Sequence, residues 1–368
     1  MADFTSALYL GLRHGAGSLR PWARLTTGRP AALADPPGAR EVAGALAALA
    51  GCGAGTLAPS TLHLFWDLFG VLAAGGAPVH LDAGAYAVAR WGAERAAGRG
   101  SPVSTFAHHD PDALRRSLRK ARGRGAPVVA ADGFCPGCGR PAPVAEYAQA
   151  VREAGGVLVL DDTQAFGVIG ESPGPGAPYG RGGGGSLRRW GVHGEGVLVA
   201  ASLAKGFGVP GAVLMGDAAR VAELEEGSQT RMHCSPPSAA VVAAAERALR
   251  VNAEHGDALR LRLARRVALF RRRLAEGGIR PVGGSFPVQS LERAGAIGAG
   301  ELHARLLRRG VRSVLLAGKV PRLAFLVTAA HRPDQIIHAA DALLAAAASE
   351  SRRTVPWPSY SSARCRAG

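Results

Sequence analysis

Lysine is nearly absent from this 368-residue chain. Of its 44 basic residues only Lys120, Lys205 and Lys319 are lysines, and the rest are arginines. Arginine keeps its charge and does not act as a nucleophilic amine, so any lysine chemistry is confined to three positions. Long hydrophobic runs are also missing. The stretch from Leu62 to Gly76 is broken by His63 and Asp67, and no run reaches spanning length. Met1-Ala2-Asp3-Phe4 lacks the basic start of a secretory signal, so a cytoplasmic protein with no membrane association is expected. Cysteine is sparse: Cys52, Cys135, Cys138, Cys234 and Cys365. Cys135-Pro136-Gly137-Cys138 is a C-x-x-C pair, but with no second pair or His-x-His cluster nearby it reads as a turn, and no metal site is expected. His108-His109-Asp110 likewise has no third partner close in sequence and reads as packing and capping.

Acidic residues are outnumbered 28 to 44, giving a net charge of +16. The densest basic stretch, Arg260 to Arg273, carries Leu259, Leu263, Val267, Phe270 and Leu274 at helical spacing, the pattern of an amphipathic helix with a solvated basic face. No helix-turn-helix or zinc-finger pattern accompanies it, so nucleic acid is not an expected partner. The charge is compatible with an anionic substrate such as a coenzyme A thioester but does not select one.

Lys205 has the most distinctive surroundings. An apolar run, Val197 to Ala201, leads through Ser202-Leu203-Ala204 to Lys205-Gly206-Phe207-Gly208. Gly206, Gly208 and Gly211 suggest a backbone that approaches a bound ligand closely, and Ser202 offers a hydroxyl to a phosphate. Upstream, Val157-Leu158-Val159-Leu160 reads as a buried strand ending in Asp161-Asp162. Ligands in open α/β sheets bind at that end of the strands. An acid there and a lysine at the next strand end suggest pyridoxal phosphate, which uses a lysine on its aldehyde and a carboxylate on its pyridinium nitrogen.

Strand and helix patterns alternate along most of the chain, which implies a mostly parallel sheet. Expected strands include 78–82, 127–131, 157–161 and 212–215; expected helices include 40–49, 62–74, 110–122 and 144–153. Residues 172–186, rich in Gly and Pro, read as a flexible loop unable to build core, and they lack the lysine and hydroxyl of a nucleotide-binding P-loop. Ser238 to Asn252 reads as a connector helix, followed by a separate basic helix. The expected divisions are an N-terminal segment 1–12, a large domain 13–250, a small domain 251–348 and a disordered tail 349–368.

Ser202-Leu203-Ala204-Lys205-Gly206-Phe207-Gly208 and Asp161-Asp162-Thr163-Gln164 resemble the class-II aminotransferase group. With Phe106 to Asp110, Ser235-Pro236-Pro237 and Thr328 to His331, the chain resembles the α-oxoamine synthases most closely. That resemblance implies an α/β fold of fold-type I pyridoxal-phosphate transferases, with a large domain whose mostly parallel sheet lies between helices and a smaller C-terminal α/β domain. Residues 4–12 resemble the family's N-terminal strand, packed on the small domain. The resemblance implies a homodimeric acyltransferase that condenses an amino acid with an acyl thioester. An aminotransferase and a non-catalytic partner subunit remain alternatives. It also implies roles: Lys205 and Asp161 in catalysis; Thr61 and Leu62 on the cofactor phosphate; Tyr86 stacked on the ring, where the family has histidine; Gln164 near the ring oxygen, again in place of histidine; His233 toward the neighbouring subunit's phosphate; and Arg322 on the amino-acid carboxylate. The segment Gly28 to Leu33 departs from the family's substrate loop.

Overall fold

Seven strands form one sheet: β1 (Ala54–Ala58), β2 (Val79–Asp82), β3 (Val103–Phe106), β4 (Val128–Asp132), β5 (Val157–Asp161), β6 (Val197–Ser202) and β7 (Ala212–Gly216), in the order β1-β7-β6-β5-β4-β2-β3. Only β7 runs against its neighbours; the junctions from β6 to β3 are parallel. The computed structural model describes residues 1–348 except Arg122, Arg124, Gly194, Glu195, Gly318 and Lys319. The expected disordered tail and Cys365 lie outside the described residues.

The strands are apolar throughout because both faces are covered. Along β5, Val157 and Val159 enter one core while Leu158 and Leu160 enter the other. On β6, Val197, Val199 and Ala201 face the second core and Leu198 and Ala200 the first. Helices α1 (Ala39–Ala50), α2 (Thr61–Leu72), α3 (Ala87–Gly98), α4 (Pro111–Lys120), α5 (Val144–Glu153) and α6 (Ala218–Gly227) follow the strands or flank them. Asp110 caps α4 by accepting from the Ala113 N–H at 2.9 Å, and Pro111 occupies the first turn, where its missing N–H costs nothing.

Three sequence expectations need correction. The connector and basic helices are one 38-residue helix, α7 (Ala239–Glu276), because no proline interrupts it, the buried Gly256 is tolerated within it, and its apolar stripe continues from Ala245 and Ala248 through Leu263 and Val267. The N-terminal ladder is confined to Ala2–Asp3, paired in parallel with Val311–Arg312. Residues 4–12 form no further ladder and turn at Tyr9–Leu10, while Phe4, Tyr9 and Leu12 enter the core shared with the C-terminal residues. The Gly/Pro-rich stretch 172–186 is not merely loop: Tyr179 joins the core, its hydroxyl donates to Ser285 O at 2.5 Å, and Ser186 is buried.

Beyond α7, strands β8 (Val288–Leu291), β9 (Val314–Leu316) and β10 (Arg322–Leu326) form an antiparallel sheet in the order β8-β10-β9. Helix α8 (Ala299–Arg308) packs on it, and α9 (Pro333–Ala348) packs against α7 and α8. Phe4 stacks on His331 at 4.2 Å and meets Phe325 edge-on at 5.8 Å. No helix among the described residues is long and apolar enough to cross a membrane.

Candidate active site

The parallel register places acids side by side along one sheet edge. Asp132 ends β4 and is the direct partner of Asp161 at the end of β5. Both are buried. The Tyr86 N–H donates to Asp132 Oδ1 at 3.0 Å, and the Thr163 N–H donates to Asp161 Oδ1 at 3.0 Å. Thr163 also accepts from the Ser202 N–H at 2.9 Å, which ties the end of β6 to the turn after β5. Asp162 points away from this ledge and holds Ser186 through its N–H at 2.9 Å and its hydroxyl at 2.5 Å.

Lys205 sits in the connection between β6 and β7, which the Leu203 N–H closes by donating to Gly211 O at 2.8 Å. The side chain is half-buried, with Nζ 5.9 Å from the centroid of the Tyr86 ring. Burial pulls the amine below the usual lysine range, opposed by the charges of Asp161 and Asp132. Burial also raises the Asp161 carboxyl, against its bonds to Thr163 and the nearby Lys205 charge. Asp132 is pushed up to about 8, first by burial and then by the neighbouring Asp161 charge. Two buried carboxyls thus share one amine. A further positive group would let both ionise.

Lys205, Asp161, Ser202 and Tyr86 therefore come together. Tyr86 is 58% exposed, so its ring forms a wall of the site rather than core. Thr61 and Leu62 open α2 at the same sheet edge, since Ala58, Ala212 and Ser202 lie in one row across β1, β7 and β6. Ser60 precedes them without capping the helix; its hydroxyl bonds to His63 Nδ1 at 2.9 Å. Gln164 is engaged by a residue from the N-terminal segment, accepting from the Tyr9 hydroxyl at 2.7 Å. His233 is exposed at the end of the short helix Gln229–His233. Arg322 begins β10, donates from Nη1 to Gly137 O at 3.0 Å and has its Nε 3.7 Å from Glu292. That Nε is buried without a hydrogen-bond partner among the described residues.

The glycines around Lys205 accommodate the protein's own chain rather than a ligand. A Cβ on Gly206 would lie 2.4 Å from Phe166 O, and one on Gly208, whose φ is +67°, would lie 2.4 Å from Leu12 O. Asp132 is the residue that sequence reading missed. The signal was present: Val128-Val129-Ala130-Ala131-Asp132 repeats the pattern of an apolar strand ending in an acid that marked Asp161.

Residues 68–343 match the profile of the family described as Aminotransferase class I and II. The chain belongs to this family. Among curated relatives, it is 30% identical over 253 residues to an 8-amino-7-oxononanoate synthase of Alkalilimnicola ehrlichii, covering 67% of this chain and 61% of that one. It is 33% identical over 237 residues to the enzyme of that name from Sodalis glossinidius, covering 63% and 57%. The matches thus span about three fifths of those relatives' length. Among solved structures, a Sphingomonas wittichii serine palmitoyltransferase superposes with a TM-score of 0.82 at 17% identity, over 94% of this chain and 86% of that one. A Francisella tularensis 8-amino-7-oxononanoate synthase superposes with a TM-score of 0.71 at 17% identity, over 93% and 96%. The expected α/β transferase architecture is the one the chain adopts.

Proposed function

We propose that the chain is a pyridoxal-phosphate-dependent acyltransferase that joins an amino acid to an acyl thioester. The observation that carries this reading is the half-buried Lys205 facing the buried acids Asp161 and Asp132 at the C-terminal edge of the sheet. The residues present fit the cofactor. The carboxyl pair is short of positive charge, which a protonated ring nitrogen would supply; the start of α2 carries N–H groups with no side-chain cap, suited to a phosphate; and Tyr86 offers a ring face near Lys205. A neighbouring solved structure is described as SPT with PLP, and its fold likeness supports the same choice.

When bound, pyridoxal phosphate supplies an electron sink for negative charge at the Cα of the amino acid. In this reading Asp161 would hold the proton on the ring nitrogen, and the Thr163 N–H keeps that carboxylate in place. Thr61, Leu62 and Ser202 would take the phosphate, and Gln164, fixed by Tyr9, would offer its amide to the ring. Arg322 offers its guanidinium to the amino-acid carboxylate, and a second copy of the chain would bring its own His233 to the phosphate. Lys205, whose amine burial pulls below the usual lysine range, would hold the cofactor through its aldehyde carbon. Its amine would also serve as the base that takes the Cα proton of the bound amino acid. The net change would be a new carbon–carbon bond between Cα and the acyl carbon and a broken carbon–sulfur bond, with the Cα proton leaving on the sulfur as free thiol.

Borohydride treatment followed by peptide mass analysis is expected to fix pyridoxal phosphate on Lys205 and to fix none in Lys205→Ala. A panel of amino acids and acyl thioesters is then assayed for free thiol. Thiol release with one pair supports condensation. Conversion of the cofactor to its amine form by an amino acid alone, with recovery by a keto acid, would make the chain an aminotransferase instead.

A further inference from the structure

Outside the Lys205 site, the fold gathers three soft donors from distant parts of the chain. Cys135 and Cys138 flank the turn between two short strands, Phe134–Cys135 and Arg140–Pro141, which pair as a hairpin. His108 follows β3 and places Nε2 3.4 Å from Cys138 Sγ. The three donor atoms all lie within 4.8 Å of one another. A tetrahedral zinc ion with Zn–S near 2.3 Å and Zn–N near 2.0 Å needs S···N separations of about 3.6 Å and S···S separations of about 3.8 Å. The observed spacing is therefore within a small side-chain adjustment of a metal site.

The surroundings prepare these atoms for a cation. Cys135 O accepts from the Gly139 N–H at 2.9 Å and from Cys138 Sγ at 3.9 Å, which holds the two cysteines on one side of the turn. Gly139, at φ +70°, closes the turn where a Cβ would strike the Gly283 backbone at 2.6 Å. His108 is oriented from behind, with Nδ1 2.5 Å from the buried carboxylate Asp82. A carboxylate only accepts, so Nδ1 carries a proton, and in the neutral imidazole the Nε2 lone pair faces Cys138. Asp82 also accepts from the Gly84 N–H at 2.7 Å, the His109 N–H at 3.1 Å and the Tyr147 hydroxyl at 3.0 Å. Its oxygens are committed, so Asp82 orients a ligand rather than serving as one. Gly84 is required for this fit, because a Cβ there would lie 2.3 Å from His108 Nδ1.

We propose that Cys135, Cys138 and His108 form a binding site for a thiolate-preferring divalent cation of the zinc class, with the fourth position left to a non-protein ligand. The ion would fasten the hairpin to the ends of β2 and β3. Because Gly137 O accepts from Arg322, it would also fix the loop that holds this arginine. The site stands on its own geometry and is independent of the reaction proposed above.

The test uses the full chain, reduced and freed of metal with a chelator, then titrated with Co²⁺ and displaced with Zn²⁺. The expected result is one equivalent bound, a near-ultraviolet thiolate-to-cobalt charge-transfer band, visible bands of tetrahedral strength and a Zn²⁺-dependent rise in melting temperature. Cys138→Ser should lose one thiolate contribution and bind at least about tenfold more weakly, while Cys52→Ser and Cys234→Ser should leave the spectrum unchanged. Asp82→Asn should weaken binding by about 10–100-fold. Absence of the charge-transfer band in the reduced wild-type chain would overturn the proposal, as would a band that survives in full in Cys138→Ser. Air oxidation to a Cys135–Cys138 disulfide, with no cobalt bound after reduction, would overturn it too and assign the pair to thiol redox chemistry instead.

Discussion

Replacing Asp132 by Asn isolates the electrostatic cost at the centre of the proposed active site. Asp132 is 8% exposed, and burial together with the adjacent Asp161 charge pushes its carboxyl from the usual 3.8 up to about 8. Between those values the folded chain retains a proton that the unfolded chain has released. The native state binds more protons, so this group's contribution to stability falls as pH rises through the window from about 4 to about 8. The limiting slope is about 1.4 kcal/mol per pH unit, or about 3 kcal/mol between pH 5 and pH 7. Asp161 and Lys205 share the ionisation, which reduces the expected change to about 2 kcal/mol. Asn keeps an oxygen for the Tyr86 N–H and cannot ionise, so Asp132→Asn should lack this loss. Urea unfolding of the cofactor-free chain at pH 5 and pH 7, for wild type and variant, gives the comparison. The variant should gain about 2 kcal/mol on the wild type across that interval. Parallel pH profiles for the two proteins would show that Asp132 is not held protonated, and the electrostatic argument for the site would fail.

Three further outcomes follow from particular contacts. Arg260 is buried and donates to Asp257, to Gly167 O at 2.9 Å and to Asn252 Oδ1 at 2.8 Å; Arg260→Met should cost about 3 kcal/mol in urea unfolding by stranding the two buried acceptors, and a change below about 1 kcal/mol would contradict this. Gly208→Ala should cost about 2–3 kcal/mol, combining the left-handed backbone with displacement of Leu12 O, and should lower the melting temperature; an unchanged transition would mean that Leu12 O yields without cost. Arg322→Ala should weaken amino-acid binding, followed by the visible spectrum of the cofactor-loaded chain, by about 2–5 kcal/mol while leaving cofactor retention intact. Equal affinity in the variant would restrict Arg322 to its bond with Gly137.

Much of the fold was legible because local patterns carried it. Apolar runs that end in acids marked β4 and β5, and Asp110-Pro111 marked the start of α4. Lysine scarcity singled out Lys205, and the strand ending at Asp161 supplied its partner. The length of α7 was less clear, because the alanine-rich and arginine-rich halves differ in composition while sharing one continuous apolar stripe.

The sequence by itself determined the alternation of strands and helices, the position of the one lysine at a strand end and the acid paired with it, since each depends on residues close together in the chain. Tertiary structure alone decided which distant residues meet. Parallel pairing of β4 with β5 puts Asp132 beside Asp161 although 29 positions separate them, and the return of β3 toward the hairpin brings His108 to Cys138 across 30. It also decided that the glycines near Lys205 make room for Phe166 and Leu12. Periodicity reports which face of an element is buried, whereas register and close packing between elements decide which side chain it is buried against.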